Sequence, residues 1–309
     1  MSDIISKELL DNADALRDIG TLVRVSTRAW QAKVNDRKAG SDLKAAKHAK
    51  AYDAVEVRKY LLAGAGAEHK ALLAAIRKIY NEGRRRTLSW GDSKDGWRLL
   101  LNAKFFDFVQ SLGQLQKEMG TLRDAFRDTY ELRRQAAMAT GLGELADPSL
   151  YPDVSKLDAL FGVTVEFQPI PHDSGFGETL TAYKDALRAN LNKLVSKRLE
   201  SAVSDGWGRL LKYVQNMATT LKDEERNRFH ETLVSNIKDM VEILKAFDVT
   251  DDPRYAELVK AVEEELCQVP SKGLKLNVTK RREVAQSANA LLKKFAEMGI
   301  TPVDEDEED

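Results

Sequence analysis

Apolar residues recur at helical spacing along most of this chain, and two stretches are long enough to dominate its fold. From about 104 to 140, Leu112, Leu115, Met119, Leu122 and Phe126 fall at intervals of three and four, the seam of a coiled coil over about two heptads. At ~1.5 Å per residue, a helix of that extent would be ~55 Å long. Gly141, Gly143 and Pro148 end it. A second long helix is predicted over 179–222, with Leu187, Leu191, Leu194, Val203, Trp207, Leu210, Val214, Met217 and Leu221 on its apolar face. Gly206 and Gly208 lie inside it and are expected to kink or weaken it. Three shorter amphipathic segments follow, separated by Asp252-Pro253 and Pro270. Phe229, Leu233, Ile237, Met240 and Leu244 mark the first, Tyr255, Val259, Val262 and Leu266 the second, and Val284, Ala288, Leu291, Phe295 and Met298 the third.

The N-terminal third is more mixed. Residues 22–30 alternate Val23 and Val25 with Arg24 and Ser26, a strand pattern. A basic, alanine-rich helix is expected over 42–62. After the Gly64-Ala65-Gly66 break comes another helix, with Leu72, Leu73, Ile76 and Ile79 on one face. Residues 81–96 read as a loop carrying Arg84-Arg85-Arg86 and Trp90. A short helix at 156–160 precedes a second alternating strand, Val163 to Phe167, which Pro169 and Pro171 stop. Two strands alone are marginal in water, so they must pair against helices or be completed by another subunit. The expected fold is mainly α: an elongated bundle of long amphipathic, coiled-coil-like helices with a small two-stranded β element. It is read as one domain over 1–309, divisible into a basic helical region (1–100), a long-helix core (101–250), C-terminal helices (251–303) and a disordered acidic tail (304–309).

Composition agrees with a helical fold. Of 309 residues, 31% are charged and only seven are proline, which favours uninterrupted helices because proline removes a donor and clashes with the preceding turn. No stretch approaches the roughly 18 consecutive apolar residues of a membrane span. The first residues are acidic and polar, unlike a signal peptide. With Cys267 the single cysteine, the expected setting is a reducing cytoplasm, with no membrane partner.

Catalytic and metal chemistry finds no constellation in the sequence. His48, His69, His172 and His230 are scattered without a second ligand at metal spacing, and His69, between Glu68 and Lys70, reads as a solvated helix residue. Gly141-x-Gly143-x-x-Ala146 formally fits a dinucleotide fingerprint, but it follows a helix where that fingerprint must follow a strand, so it reads as a helix stop. The chain is therefore read as not an enzyme, with no cofactor. One internal echo stands out: Asp95-Gly96-Trp97-Arg98-Leu99-Leu100 resembles Asp205-Gly206-Trp207-Gly208-Arg209-Leu210-Leu211. Its flanks diverge and no period recurs, which favours chance over a repeat.

Charge is unevenly laid out. Asp304, Glu305, Asp306, Glu307, Glu308 and Asp309 close the sequence, and without them the formal charge moves from −1 to +5. That tail reads as a solubilising end, a docking peptide for a basic partner, or a competitor of nucleic acid. Basic residues concentrate in 24–50, 70–86 and 272–294. If these segments converge they are candidates for binding phosphates, with Arg84, Arg85, Arg86, Lys280, Arg281 and Lys/Arg neighbours such as Arg282 as contacts and Trp90 or Trp97 stacking on bases. The bland alternative is a set of solvated helix faces.

Residues 80–177 resemble a family of phage-encoded helical proteins of uncharacterised function. The resemblance lies in Tyr80-Asn81-Glu82, Thr87-Leu88-Ser89-Trp90, Arg98-Leu99-Leu100 and Val165-Glu166-Phe167-Gln168-Pro169-Ile170-Pro171. Ser89 stands where the family pattern has proline, and Gly175-Phe176-Gly177 where it has Asp-Phe-Arg. The resemblance implies a viral origin and the cytoplasm of an infected bacterium, and it brings no activity. Taken together, the residues predict a non-catalytic, self-associating helical binding protein. Its expected partners are a second copy, nucleic acid at the basic segments, or a host or phage enzyme complex that it serves as adaptor or inhibitor.

Overall fold

The computed structural model describes residues 18–51, 53–91, 96–171, 184–222, 230–247 and 252–302. The chain is mainly helical and divides into two compact units, each drawn from separated stretches of sequence. The division falls inside four elements and does not follow the boundaries near 100 and 250 suggested by composition. The acidic tail at 304–309, Phe229, His172 and the start of the helix expected at 179 lie outside the described residues.

Both strands expected from alternation are present, as β1 (Gly20–Arg28) and β6 (Gly162–Pro169). They belong to a four-stranded sheet, a correction to the two-stranded element expected for them. The sheet also contains β4 (Leu88–Ser89) and β5 (Arg98–Leu101), in the order β4-β5-β1-β6. β5 runs antiparallel to β1, with Leu22 opposite Leu99, and β4 antiparallel to β5, with Leu88 opposite Leu99. Strands of two and four residues are too short to show a period, so the sequence placed β4 in the loop expected over 81–96 and left β5 unassigned.

A separate two-stranded antiparallel sheet pairs β2 (Lys33–Asn35) with β3 (Arg58–Tyr60). Between them lies α1 (Arg37–Ala46), begun by the Asp36 carboxylate accepting from the Ala39 N–H at 3.0 Å. The helix expected over 42–62 is thus earlier and shorter. It stops at Lys47, and His48 has a φ of 54°, outside the helical region.

The first unit is built on α5 (Lys184–Lys222), a helix of 39 residues that runs unbroken through Gly206 and Gly208. Around it lie α6 (Thr232–Ala246), α7 (Pro253–Leu266), α8 (Ser271–Leu276) and α9 (Val278–Glu297). α6 and α9 both pack on α5, and α7 packs on α6 and α9. The starts are encoded locally: Asp252 caps α7 with Pro253 in its first turn, and Asn277 accepts from the Lys280 N–H to cap α9. The core joins Leu199, Val203, Trp207, Leu210, Val214 and Met217 of α5 to Ile237, Val262, Leu291 and Phe295. Burial pushes the Cys267 thiol, beside that core, up to about 11.

The second unit holds most of α2 (Ala67–Arg85) and most of α3 (Phe105–Ala136), together with the single-turn α4 (Leu157–Leu160). The apolar stripe of α3 packs mostly inside the chain. Leu112, Leu115, Met119 and Phe126 are buried and Leu122 is half-buried, so most of the expected seam is core. A π-helical turn follows α3 and ends at Gly141, where a Cβ would collide with the Ala63 carbonyl. That close approach accounts for the glycine that invited a nucleotide reading.

His69 corrects its solvated reading. It is 4% exposed, its Nε2 donates to the Trp30 carbonyl at 2.8 Å, and the rings of Trp30, Phe126 and Phe161 surround it. It continues the buried face of α2 as residues 69, 72, 76, 79 and 83. Burial lowers its pKa below the usual 6.5, more than the Trp30 hydrogen bond raises it. The unfolded chain therefore takes up a proton that the folded chain resists. Stability from this ring is complete above about pH 6.5 and is lost as pH falls toward the lowered folded value. Urea unfolding between about pH 7.5 and 5.5 should show a loss in the wild type that His69→Gln lacks; equal slopes would refute it.

Candidate functional site

Two of the three adjacent arginines sit on a helix and not in a loop, and Arg86 lies in the turn just beyond it. α2 continues through Arg85, so Arg84 and Arg85 form its last turn, where cations complement the helix dipole. All three are half-buried, and Arg85 forms an ion pair with Asp239 of α6. Thr87 and Leu88 beyond them are buried, because this segment enters the sheet. Trp90 is 4% exposed and part of the core, leaving its ring no open face for stacking on a base. Trp97 is half-buried, and the Arg24 guanidinium lies 5.1 Å from its ring centroid. Arg24 also donates to Glu166 through Nε and Nη2, at 2.8 and 2.6 Å.

The second basic triplet opens α9. Arg281 is 4% exposed, Lys280 donates to Glu283 at 2.7 Å, and Arg282 is exposed. Helical geometry explains the split, since three consecutive residues point about 100° apart and cannot share one face.

What the fold brings together is a polar network at the end of α2. The Asp205 carboxylate on α5 accepts from the Ser89 N–H at 2.8 Å, from Arg209 at 3.3 Å and from Arg98 at 3.4 Å. Arg209 also donates to the carbonyls of Arg84 (3.0 Å) and Thr87 (2.7 Å), and Arg98 to the Thr87 hydroxyl (2.7 Å) and carbonyl (3.0 Å). Helix ends leave carbonyls without intrahelical partners, and here a guanidinium from another helix satisfies one of them. The network is a clasp between α5, α2 and β4. The two segments of the internal echo meet here, but Arg98 lies on a strand and Arg209 on a helix. They are not copies of one structural unit.

A different feature faces outward. Phe106 at the start of α3 is 84% exposed, with the Phe105 ring centroid 5.9 Å away. Phe105 lies in turn 5.4 Å from Phe167 on β6, which is also exposed. β6 is an outer strand of the sheet among the described residues. The long-helix pattern hid this corner. Phe105 and Phe108 continue the 3-4 spacing of the seam backward from Leu112, whereas Phe106 falls out of phase. An aromatic out of phase with its helix's buried stripe was the legible signal.

Among the described residues, no group of three or more His, Cys, Asp or Glu is arranged to hold a metal ion, and no helix is long and apolar enough to cross a membrane. Comparison with models of known families, with curated proteins and with solved structures finds no match for this chain.

Proposed function

We propose that this chain is a non-catalytic binding protein that associates with a second copy of itself through the outer edge of β6 and the phenylalanines beside it. The observation that carries this reading is Phe106, a large aromatic left 84% exposed against Phe105, which in turn meets Phe167 of β6, an outer strand among the described residues. An outer strand presents backbone N–H and C=O groups that template pairing with another chain. Two β6 strands pairing antiparallel about a twofold axis would make a self-complementary contact, with Phe106 and Phe167 of each copy at its margin. Burying a phenylalanine fully contributes about 1.5–3 kcal/mol, and the freedom lost on association offsets much of that, so the expected dimer is a weak one that forms with rising concentration.

The long seams give less support to assembly, because most of their apolar residues pack inside the chain, with Leu194 the exposed exception. Nucleic acid is less favoured than a protein partner, since Arg24, Arg85 and Lys280 already engage carboxylates that a phosphate would have to displace. The same edge also supports the adaptor or inhibitor reading, in which a host or phage enzyme contributes the added strand. On the resemblance to phage-encoded proteins, the setting is the cytoplasm of an infected bacterium.

Sedimentation velocity over a wide concentration range tests this. Wild type is expected to show a monomer–dimer equilibrium, and Phe106→Glu to weaken it at least tenfold. The melt should barely change, because exposed substitutions usually stay within about 0.5 kcal/mol. A monomer at every concentration removes self-association, and a dimer indifferent to Phe106→Glu removes this site.

A further inference from the structure

The first unit contains a cavity of about 430 Å³ between α5, α6 and α7. That lies within the roughly 300–1,000 Å³ of small-molecule sites. Its walls are Trp207, Leu244, Phe247, Tyr255 and Val259, each nearly buried in the core. Trp207 and Tyr255 meet edge to face, with centroids 4.9 Å apart. The wall depends on Gly206: a Cβ there would come within 2.9 Å of a Leu244 methyl and 3.3 Å of Leu88, so any side chain would push Leu244 aside. One helical stretch thus does two jobs. Asp205 and Arg209 clasp α2 and β4, and Trp207 between them lines the cavity.

Charged groups stand at the mouth, and they pair with one another. Lys245 of α6 bonds Glu263 of α7, and Lys260 lies 3.9 Å from Glu264 one turn along α7. The lining therefore carries two cations and two anions with no surplus of either. The pairs are largely exposed and cost little to break, but a charged group inside the apolar cavity would shed its water without a counter-ion, which is costly. An uncharged aromatic body loses no such hydration. Its rings can meet Trp207 and Tyr255 in offset or edge-to-face contacts. Burial and the nearby Asp252 raise the Tyr255 pKa, so the phenol stays neutral too.

We propose that this cavity is a binding site for a small, uncharged aromatic molecule. It is separate from the β6 edge and does not rest on self-association. Exposed Ala256 also lines the cavity, which gives a way to fill it without touching the core.

The test uses the full chain and two probes that share a ring system, uncharged N-phenyl-1-naphthylamine and anionic 8-anilinonaphthalene-1-sulfonate. Probe fluorescence is followed directly and by energy transfer from tryptophan. Expected are saturable binding of the uncharged probe at one site, at least tenfold weaker binding of the anion, and at least tenfold loss of the uncharged probe in Ala256→Phe with an unchanged melt. Absence of binding by the uncharged probe overturns the site. So does binding that Ala256→Phe leaves intact, which would place the probe elsewhere, for example on Phe106. Equal or tighter binding of the anion overturns the ligand class and would assign the mouth lysines a direct role. Should Ala256→Phe shift the melt, Ala256→Leu and competition by indole take its place, and failure of both to reduce binding overturns the proposal.

Discussion

Asp205→Ala is expected to destabilise the protein by about 3–5 kcal/mol, the range for removing one partner of a buried ion pair. The Asp205 and Arg209 side chains are only 12% and 6% exposed. Alanine would strip two guanidiniums of their common carboxylate and leave the Ser89 N–H without its acceptor. Arg209 would still hold the Arg84 and Thr87 carbonyls, so the clasp should loosen rather than vanish. Asp205→Asn keeps the shape and one acceptor oxygen and should cost less. Replacing buried ion pairs by apolar residues is often neutral, but Asp205→Leu with Arg209→Met should remain destabilised here. The Arg84 and Thr87 carbonyls would lose a donor that methionine cannot supply. Urea unfolding followed by circular dichroism reads all three, and a loss below about 1 kcal/mol for Asp205→Ala would mean that water solvates the network.

Phe126→Ala should also cost about 3–5 kcal/mol, as expected for emptying a buried phenylalanine site. Phe126 packs against the rings of His69, Tyr130 and Phe161, with centroids 5.3 to 5.8 Å away. The informative part is its concentration dependence. If α3 formed an intermolecular seam, the loss would appear as a shifted association constant and would shrink at high protein concentration. As core, it should be the same at low and high concentration, while Phe106→Glu, twenty residues earlier on the same helix, changes assembly and spares stability. Thermal melts at two concentrations separate the cases; a Phe126→Ala loss that disappears at high concentration would return the seam to the interface.

Both outcomes concern positions where reading the sequence reached a definite point and stopped. The existence and type of the long elements were legible: α3, α5, α6, α7 and α9 follow from apolar spacing, and β1 and β6 from alternation. Such periods are written within one or two turns and need no knowledge of distant residues. Capping was equally local: Asp252-Pro253 acts where a break was expected, and Asn277 starts the last helix a few residues beyond the break expected at Pro270. The mirror case is β4 and β5. Two and four residues hold no period, and they become strands only because β1 and α5 supply partners.

Sequence alone therefore determined a mainly helical chain and most of the buried stripe of each long helix, though Leu194 of the α5 stripe is exposed. Tertiary structure decided what those stripes pack against and which polar groups remain accessible. Asp205 meets Ser89 across 116 positions of chain, and Arg209 meets Thr87 across 122. No local pattern encodes such a pairing, so of the arginines that read as a binding loop Arg84 lends its carbonyl to a clasp and Arg85 pairs with Asp239. The α3 seam looked the same whether its partner was a second copy or its own chain, because apolar periodicity records that a face is buried and not by what. His69 followed the same rule in reverse. Its neighbours Glu68 and Lys70 are charged, but burial belongs to the helix face shared with Leu72 and Ile76, three and seven residues away, and to the aromatic rings that the fold brings over it.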